Sequence, residues 1–106
     1  MSTKQLRQRY ELEVRALAQL AADLDAAGFS DEQIARALHK RRRRIGLKYK
    51  LRTPVLGPKG QIAIYRRNVK KYGHPLGPSI RWLRERGRTW DDIRDSACRS
   101  GGRDLK

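Results

Sequence analysis

Between Lys4 and Ala27 the apolar residues Leu6, Tyr10, Val14, Leu17, Leu20/Ala21 and Leu24 recur every three or four positions, with strong helix formers between them. A stripe of that period lies along one side of an α-helix, so the spacing predicts a long amphipathic helix. Gly28 follows the last periodic residue, where a left-handed glycine closes a helix. Ser30 and Gln33 are spaced as a capping box, and Phe29 and Ile34 stand at the N′ and N4 positions of a hydrophobic staple. A second helix is therefore expected from Asp31 to about Ile45, burying Ile34, Ala35, Leu38 and Ile45 and leaving its remaining surface to His39 and Lys40 to Arg44.

Leu47, Tyr49 and Leu51 then alternate with Lys48, Lys50 and Arg52, which reads either as a short strand or as an extension of the helix, until Thr53-Pro54 stops it. Gly57-Pro58-Lys59-Gly60 reads as a turn. Ile62, Tyr65, Val69 and Tyr72 have helical spacing up to Gly73, although Ile62 and Ile64 alone could start a strand. After a Gly73-His74-Pro75-Leu76-Gly77 loop, Pro78 suits the first position of a short helix carrying Ile80, Trp82 and Leu83 and ending at Gly87. Thr89 and Asp92 form a second capping box, opening a last helix with Trp90, Ile93 and Ala97 before a tail at Ser100-Gly101-Gly102 that frays. The pattern predicts a mainly α fold of four or five helices in a single domain, residues 1–106, with room for a short two-stranded β element near residues 47–64. At 106 residues and 38% apolar content the chain can bury one modest core.

Charge changes this picture. There are 26 Lys and Arg against 11 Asp and Glu, a formal charge of +15. Residues 1–29 and 89–106 are each neutral, with four basic and four acidic side chains apiece, so the whole excess lies in residues 30–88. A charge run is commonly a solvated face. A 59-residue block between neutral ends is different, because cations held together in a compact fold repel one another unless a phosphate backbone relieves them by releasing counterions. The block implies a polyanionic partner, nucleic acid, with RNA before DNA. Phosphate contacts are expected from Arg36, Lys40, Arg41, Arg42, Arg43, Arg44, Lys48, Lys50, Arg66, Arg67, Lys70, Lys71, Arg81 and Arg84, which carry no base code by themselves. Tyr49, Tyr65 and Tyr72 lie among these cations, where they serve either as stacking platforms for unpaired bases or as core.

The single Cys98 excludes an internal disulfide, and no His/Cys spacing suits a metal, so no cofactor and no metal are expected. Cys98 reads as a small core residue. No apolar run reaches the roughly 18 residues of a membrane span, and MSTKQLRQRY has no apolar signal region, so the expected setting is cytoplasmic. Gly28–Ile34 and Gly87–Ile93 share a pattern of glycine, hydroxyl cap, acidic first turn and isoleucine. Each marks a helix-turn-helix corner, which a DNA reader could use and which any two packed helices also need. Hydrolysis of RNA without a metal would need a base, an acid and cations for the developing charge. His74 and His39 could supply the first two, with Arg66, Arg67 or Lys70 supplying the third.

The run from Ile64 to Ser79, followed by Leu83, Gly87, Thr89-Trp90, Ile93, Ala97, Arg99 and Gly101-Gly102-Arg103-Asp104, resembles the C-terminal toxin domains of bacterial polymorphic toxins of the hemagglutinin-repeat and Rhs classes. It covers the last 45 or so residues, more loosely the last 75. The resemblance implies an antibacterial effector, often a ribonuclease, acting in a target cell's cytoplasm and neutralised by an acidic immunity or inhibitor protein. Position 74 is commonly Asn or Asp in that pattern, which shifts weight from His74 to Arg67, Asn68, Tyr72 and Arg99 as the shared polar set. Starting at Met1 without a delivery region, the chain is expected to be an excised domain, an orphan copy or a non-toxic relative. The preferred reading is an RNA-directed, metal-independent nuclease. Its alternatives are a non-catalytic binder, such as a helix-turn-helix regulator or ribosome-associated protein, and an interaction module for an acidic protein.

Overall fold

The computed structural model describes residues 3–52 and 57–99, without the side chains of residues 3, 50–52, 57, 58 and 61. It contains five helices, α1 (Thr3–Ala26), α2 (Asp31–Arg52), α3 (Gly57–Tyr72), α4 (Ile80–Glu85) and α5 (Trp90–Ala97), and the described residues include no strand. The fold is mainly α.

The two corners are built alike. At the end of α1 the Phe29 N–H donates to Leu24 and the Gly28 N–H to Asp25, with Gly28 at φ 88°. After α4 the Arg88 N–H donates to Leu83 and the Gly87 N–H to Arg84, with Gly87 at φ 78°. Both are Schellman closures, which need a residue at positive φ and so favour glycine. The next helix then opens on a capping box. Ser30 and Gln33 exchange bonds of 2.9 and 3.2 Å, and Thr89 and Asp92 bonds of 2.9 and 3.0 Å. The Asp92 carboxylate is held below the usual range, first by the Thr89 backbone N–H. Phe29, placed at a staple position by sequence, is 46% exposed.

The corner after α1 turns α2 back along it. Tyr10 meets Tyr49 edge to face at 5.6 Å and Lys48 bonds Glu13 at 2.9 Å, so the two helices run antiparallel. Val14, Leu17 and Ala21 of α1, Ile34, Leu38, Ile45 and Tyr49 of α2 and Ala97 of α5 form the main core. Ala35, Leu83 and Ile93 form a second cluster that ties α4 and α5 to α2, with Ile80, Trp82 and Trp90 around it. Fully buried side chains such as Ile34, Leu38, Leu83 and Ile93 each contribute about 1.5–3 kcal/mol of transfer free energy. Cys98 is half-buried against the main core, as its pattern suggested.

Three boundaries differ from expectation. α2 does not stop at Ile45 but continues to Arg52, because Tyr49, one turn beyond Ile45, is buried against Tyr10. That choice removes the strand alternative for residues 47–52. Gly57–Gly60 is not a turn but the opening of α3, where a proline gives up no helical hydrogen bond. Residues 57–64 are therefore helical too, and the β element near 47–64 is absent among the described residues. Pro78 precedes α4 without entering it, since the Ser79 hydroxyl accepts the Trp82 N–H at 3.0 Å and makes Ser79 the cap. The Thr53-Pro54 stop and the Ser100–Gly102 tail lie outside the described residues.

Candidate nucleic-acid interface

The Lys40–Arg44 run spans more than a full helical turn, so rotation sends its members to different sides of α2. Arg42 turns inward and is 7% exposed. Its Nη1 donates to the Ala97 carbonyl at 3.2 Å and to the Arg99 carbonyl, and its guanidinium lies 5.6 Å from the Tyr10 ring centroid. It caps carbonyls that the end of α5 would otherwise leave without a helical partner. Arg42 is thus a structural residue and not a phosphate contact, which corrects its place among the predicted cations. Arg43 is half-buried, with Nη2 donating to the carbonyls of Pro78 at 3.0 Å and Gly77 at 3.4 Å. Burial holds its pKa below the usual value, and its buried Nε has no hydrogen-bond partner.

Lys40, Arg41 and Arg44 face solvent, as do Arg66, Arg67 and Lys70 on α3, and no described carboxylate engages any of these six. Lys71 is exposed with its Nζ 5.2 Å from the Tyr72 ring. Other predicted contacts have local partners: Arg36 with Glu32 at 3.4 Å, Lys48 with Glu13 at 2.9 Å and Arg81 with Glu85 at 3.0 Å. Such exposed pairs are worth little and open cheaply. Arg84 donates to the Arg88 carbonyl at 3.1 Å and lies 4.3 Å from the Trp90 ring centroid. Lys50 belongs to α2, but its side chain is outside the described set.

A cleft of about 310 Å³ opens between α2 and the 73–77 loop, lined by His39, Lys40, Arg43, Arg44, Leu47 and Leu76. No described carboxylate lines it. Its apolar members, Leu47 and Leu76, were not among the sequence candidates. Stacking of guanidinium on tryptophan was also missed: Arg86 lies 3.5 Å from the Trp82 centroid, and Arg36 and Arg84 approach Trp90 at 5.1 and 4.3 Å. The i,i+4 spacing of Trp82 and Arg86 was the available signal. Of the tyrosines proposed for stacking, Tyr49 is buried against Tyr10 and Tyr72 meets Trp82 edge to face at 4.9 Å, while Tyr65 is half-buried.

The proposed catalytic residues fall in three places. His74, Asn68 and Tyr72 gather around the 73–77 loop, where Asn68 Nδ2 donates to the Pro75 carbonyl at 2.9 Å and ties the loop to α3. Arg67 is exposed on α3, and Arg99 follows α5, where its carbonyl receives Arg42. None of the five lines the cleft. His74 Nδ1 accepts the Leu76 N–H at 3.1 Å, which puts the proton of the neutral ring on Nε2. The remaining nitrogen is then a donor, which suits a phosphate contact better than a general base. His39, the other candidate acid or base, is 7% exposed in the cleft wall.

Desolvation, then the charge of Arg43, lowers the His74 pKa from 6.5. The unfolded chain therefore takes up this proton first, so the stability His74 contributes is complete above about pH 6.5 and is lost as pH falls through the folded value. In a proton NMR titration His74 should show a midpoint below 6.5, and Arg43→Ala should move it back up. An unmoved midpoint would remove Arg43 from its surroundings.

Both corners have helix-turn-helix punctuation, but α2 is the central packing helix. α5 buries Ile93, Ser96 and Ala97 and exposes Asp91, Asp92 and Asp95. Neither is held out as a separate reading helix. No helix among the described residues is long and apolar enough to cross a membrane. Compared with models of known families, with curated proteins and with solved structures, the chain matches none. The likeness to polymorphic-toxin domains rests on the residues that carry it, of which Gly101–Asp104 lie outside the described set.

Proposed function

We propose that the protein binds RNA without cleaving it, through the cations of α2 and α3. The carrying observation is that Lys40, Arg41, Arg44, Arg66, Arg67 and Lys70 are exposed and engaged by no described carboxylate. Their mutual repulsion is a cost to the folded chain that a phosphate backbone offsets. Neither helix that follows a capping-box corner, α2 or α5, stands apart from the core as a recognition helix for a duplex major groove. Backbone contact combined with unpaired bases is the commoner mode for RNA.

Ribonuclease activity of the toxin type is the second reading, and one observation favours it: desolvation and the nearby Arg43, which lines the cationic cleft, lower the His74 pKa. For that chemistry the Leu76 N–H would have to release Nδ1 first. The deciding experiment incubates the protein with total tRNA and with a DNA duplex at about 150 mM salt, near physiological ionic strength, with EDTA, alongside His74→Ala. Retarded, intact RNA in preference to DNA is the expected result. Discrete RNA fragments that vanish in the variant would replace binding by cleavage. Binding of neither polymer would leave an acidic protein as the partner of this surface.

A further inference from the structure

The cleft between α2 and the 73–77 loop brings cations and apolar side chains together in one concave site. Its rim carries Lys40 and Arg44, its wall carries Arg43, and Leu47 and Leu76 give it an apolar lining. Leu47 is 40% exposed, a large apolar side chain open to solvent in the most basic helix of the protein. Its volume of about 310 Å³ lies at the small end of ligand pockets, which bury most of a small molecule's surface. Polymer phosphates alone would need no lining of this kind.

Arg43 gives a second, independent pointer. Its guanidinium is half-buried, its Nε is buried without a partner, and its bonded partners are the neutral carbonyls of Gly77 and Pro78. No described carboxylate supplies the missing counter-charge. A cation desolvated in this way is costly until an anion joins it.

We propose that the cleft seats one unpaired nucleotide of an RNA strand, its base against Leu47 and Leu76 and its phosphate among Lys40, Arg43 and Arg44. The assignment rests on the RNA-binding reading and narrows it. The preferred substrate becomes single-stranded or looped RNA, because a base held in a duplex cannot turn into the cleft without unpairing. The cations on the outer side of α3 would hold neighbouring phosphates irrespective of sequence.

The test compares a labelled, unpaired RNA octamer with a blunt RNA duplex of the same length, by fluorescence anisotropy at about 150 mM salt, close to physiological ionic strength. Wild type should prefer the octamer. Leu47→Ser and Leu76→Ser should each weaken the octamer about fivefold, the scale of one base contact, and leave the duplex unchanged. Leu47 is exposed, so its variant keeps the core, and circular dichroism of both variants checks the helices. Equal loss for both RNAs, or no loss for either, overturns the cleft assignment while RNA binding stands. Failure of wild type to bind either RNA overturns the binding reading and the assignment with it.

Discussion

Arg42→Ala should unfold the protein far more readily than Arg41→Ala, although the two arginines are neighbours in one basic run. Removing Arg42 leaves the carbonyls of Ala97 and Arg99 without their donor and opens space beside Tyr10. Charge-assisted hydrogen bonds to a buried side chain set the cost at about 3 kcal/mol, or a melting temperature lower by about 12 °C in a domain of this size. Arg41 is exposed, and its loss should change stability by no more than about 0.5 kcal/mol. RNA affinity should show the reverse order. Arg41→Ala loses about fourfold at 150 mM salt if one phosphate contact goes, by the counterion relation for single strands, whereas Arg42→Ala, assayed well below its melting point, loses little. Thermal denaturation of both variants beside an RNA titration decides the matter. Equal stability of the two proteins would return Arg42 to the surface.

The largest effect on binding is expected from the triple variant Lys40→Ala, Arg41→Ala, Arg44→Ala. With six phosphate contacts the logarithm of the binding constant should fall with the logarithm of salt at a slope of about −4, and with three at about −2. Affinity at 150 mM salt should drop about 50-fold by the same relation. The helices should survive, because all three side chains face solvent. An unchanged slope in the variant would place the contacts on α3 alone.

The sequence was a good guide wherever a residue type has one local use. Gly28 and Gly87, followed by Ser30 with Gln33 and by Thr89 with Asp92, announced both corners, since a positive-φ glycine and a reciprocal cap are decided within six residues. The end of α2 was obscured for a physical reason. Leu47, Tyr49 and Leu51 alternate with cations, so a strand period and a continued helix both fitted, and the burial of Tyr49 against Tyr10 of another helix decides between them. Arg42 stands in the inward stripe of α2 with Leu38, Ile45 and Tyr49. The same residue misled the reading of the charge run, because composition counts a guanidinium without saying which way it turns. Arg42 and Arg43 donate to the carbonyls of residues 77, 78, 97 and 99, more than thirty positions away, and no local pattern records such a bond. The cleft was hidden likewise. Leu47 and Leu76 become neighbours only when the 73–77 loop returns to α2, with Asn68 fastening that loop through the Pro75 carbonyl.

The exposed cations Lys40, Arg41, Arg44, Arg66, Arg67 and Lys70 set two responses to ionic strength against each other. Added salt screens the repulsion among them and should raise the melting temperature, while it should also screen any attraction of RNA to them. The conditions in which this protein is hardest to unfold are therefore those in which it would hold RNA least, and bound RNA would take over at low salt the stabilising part that dissolved anions play at high salt.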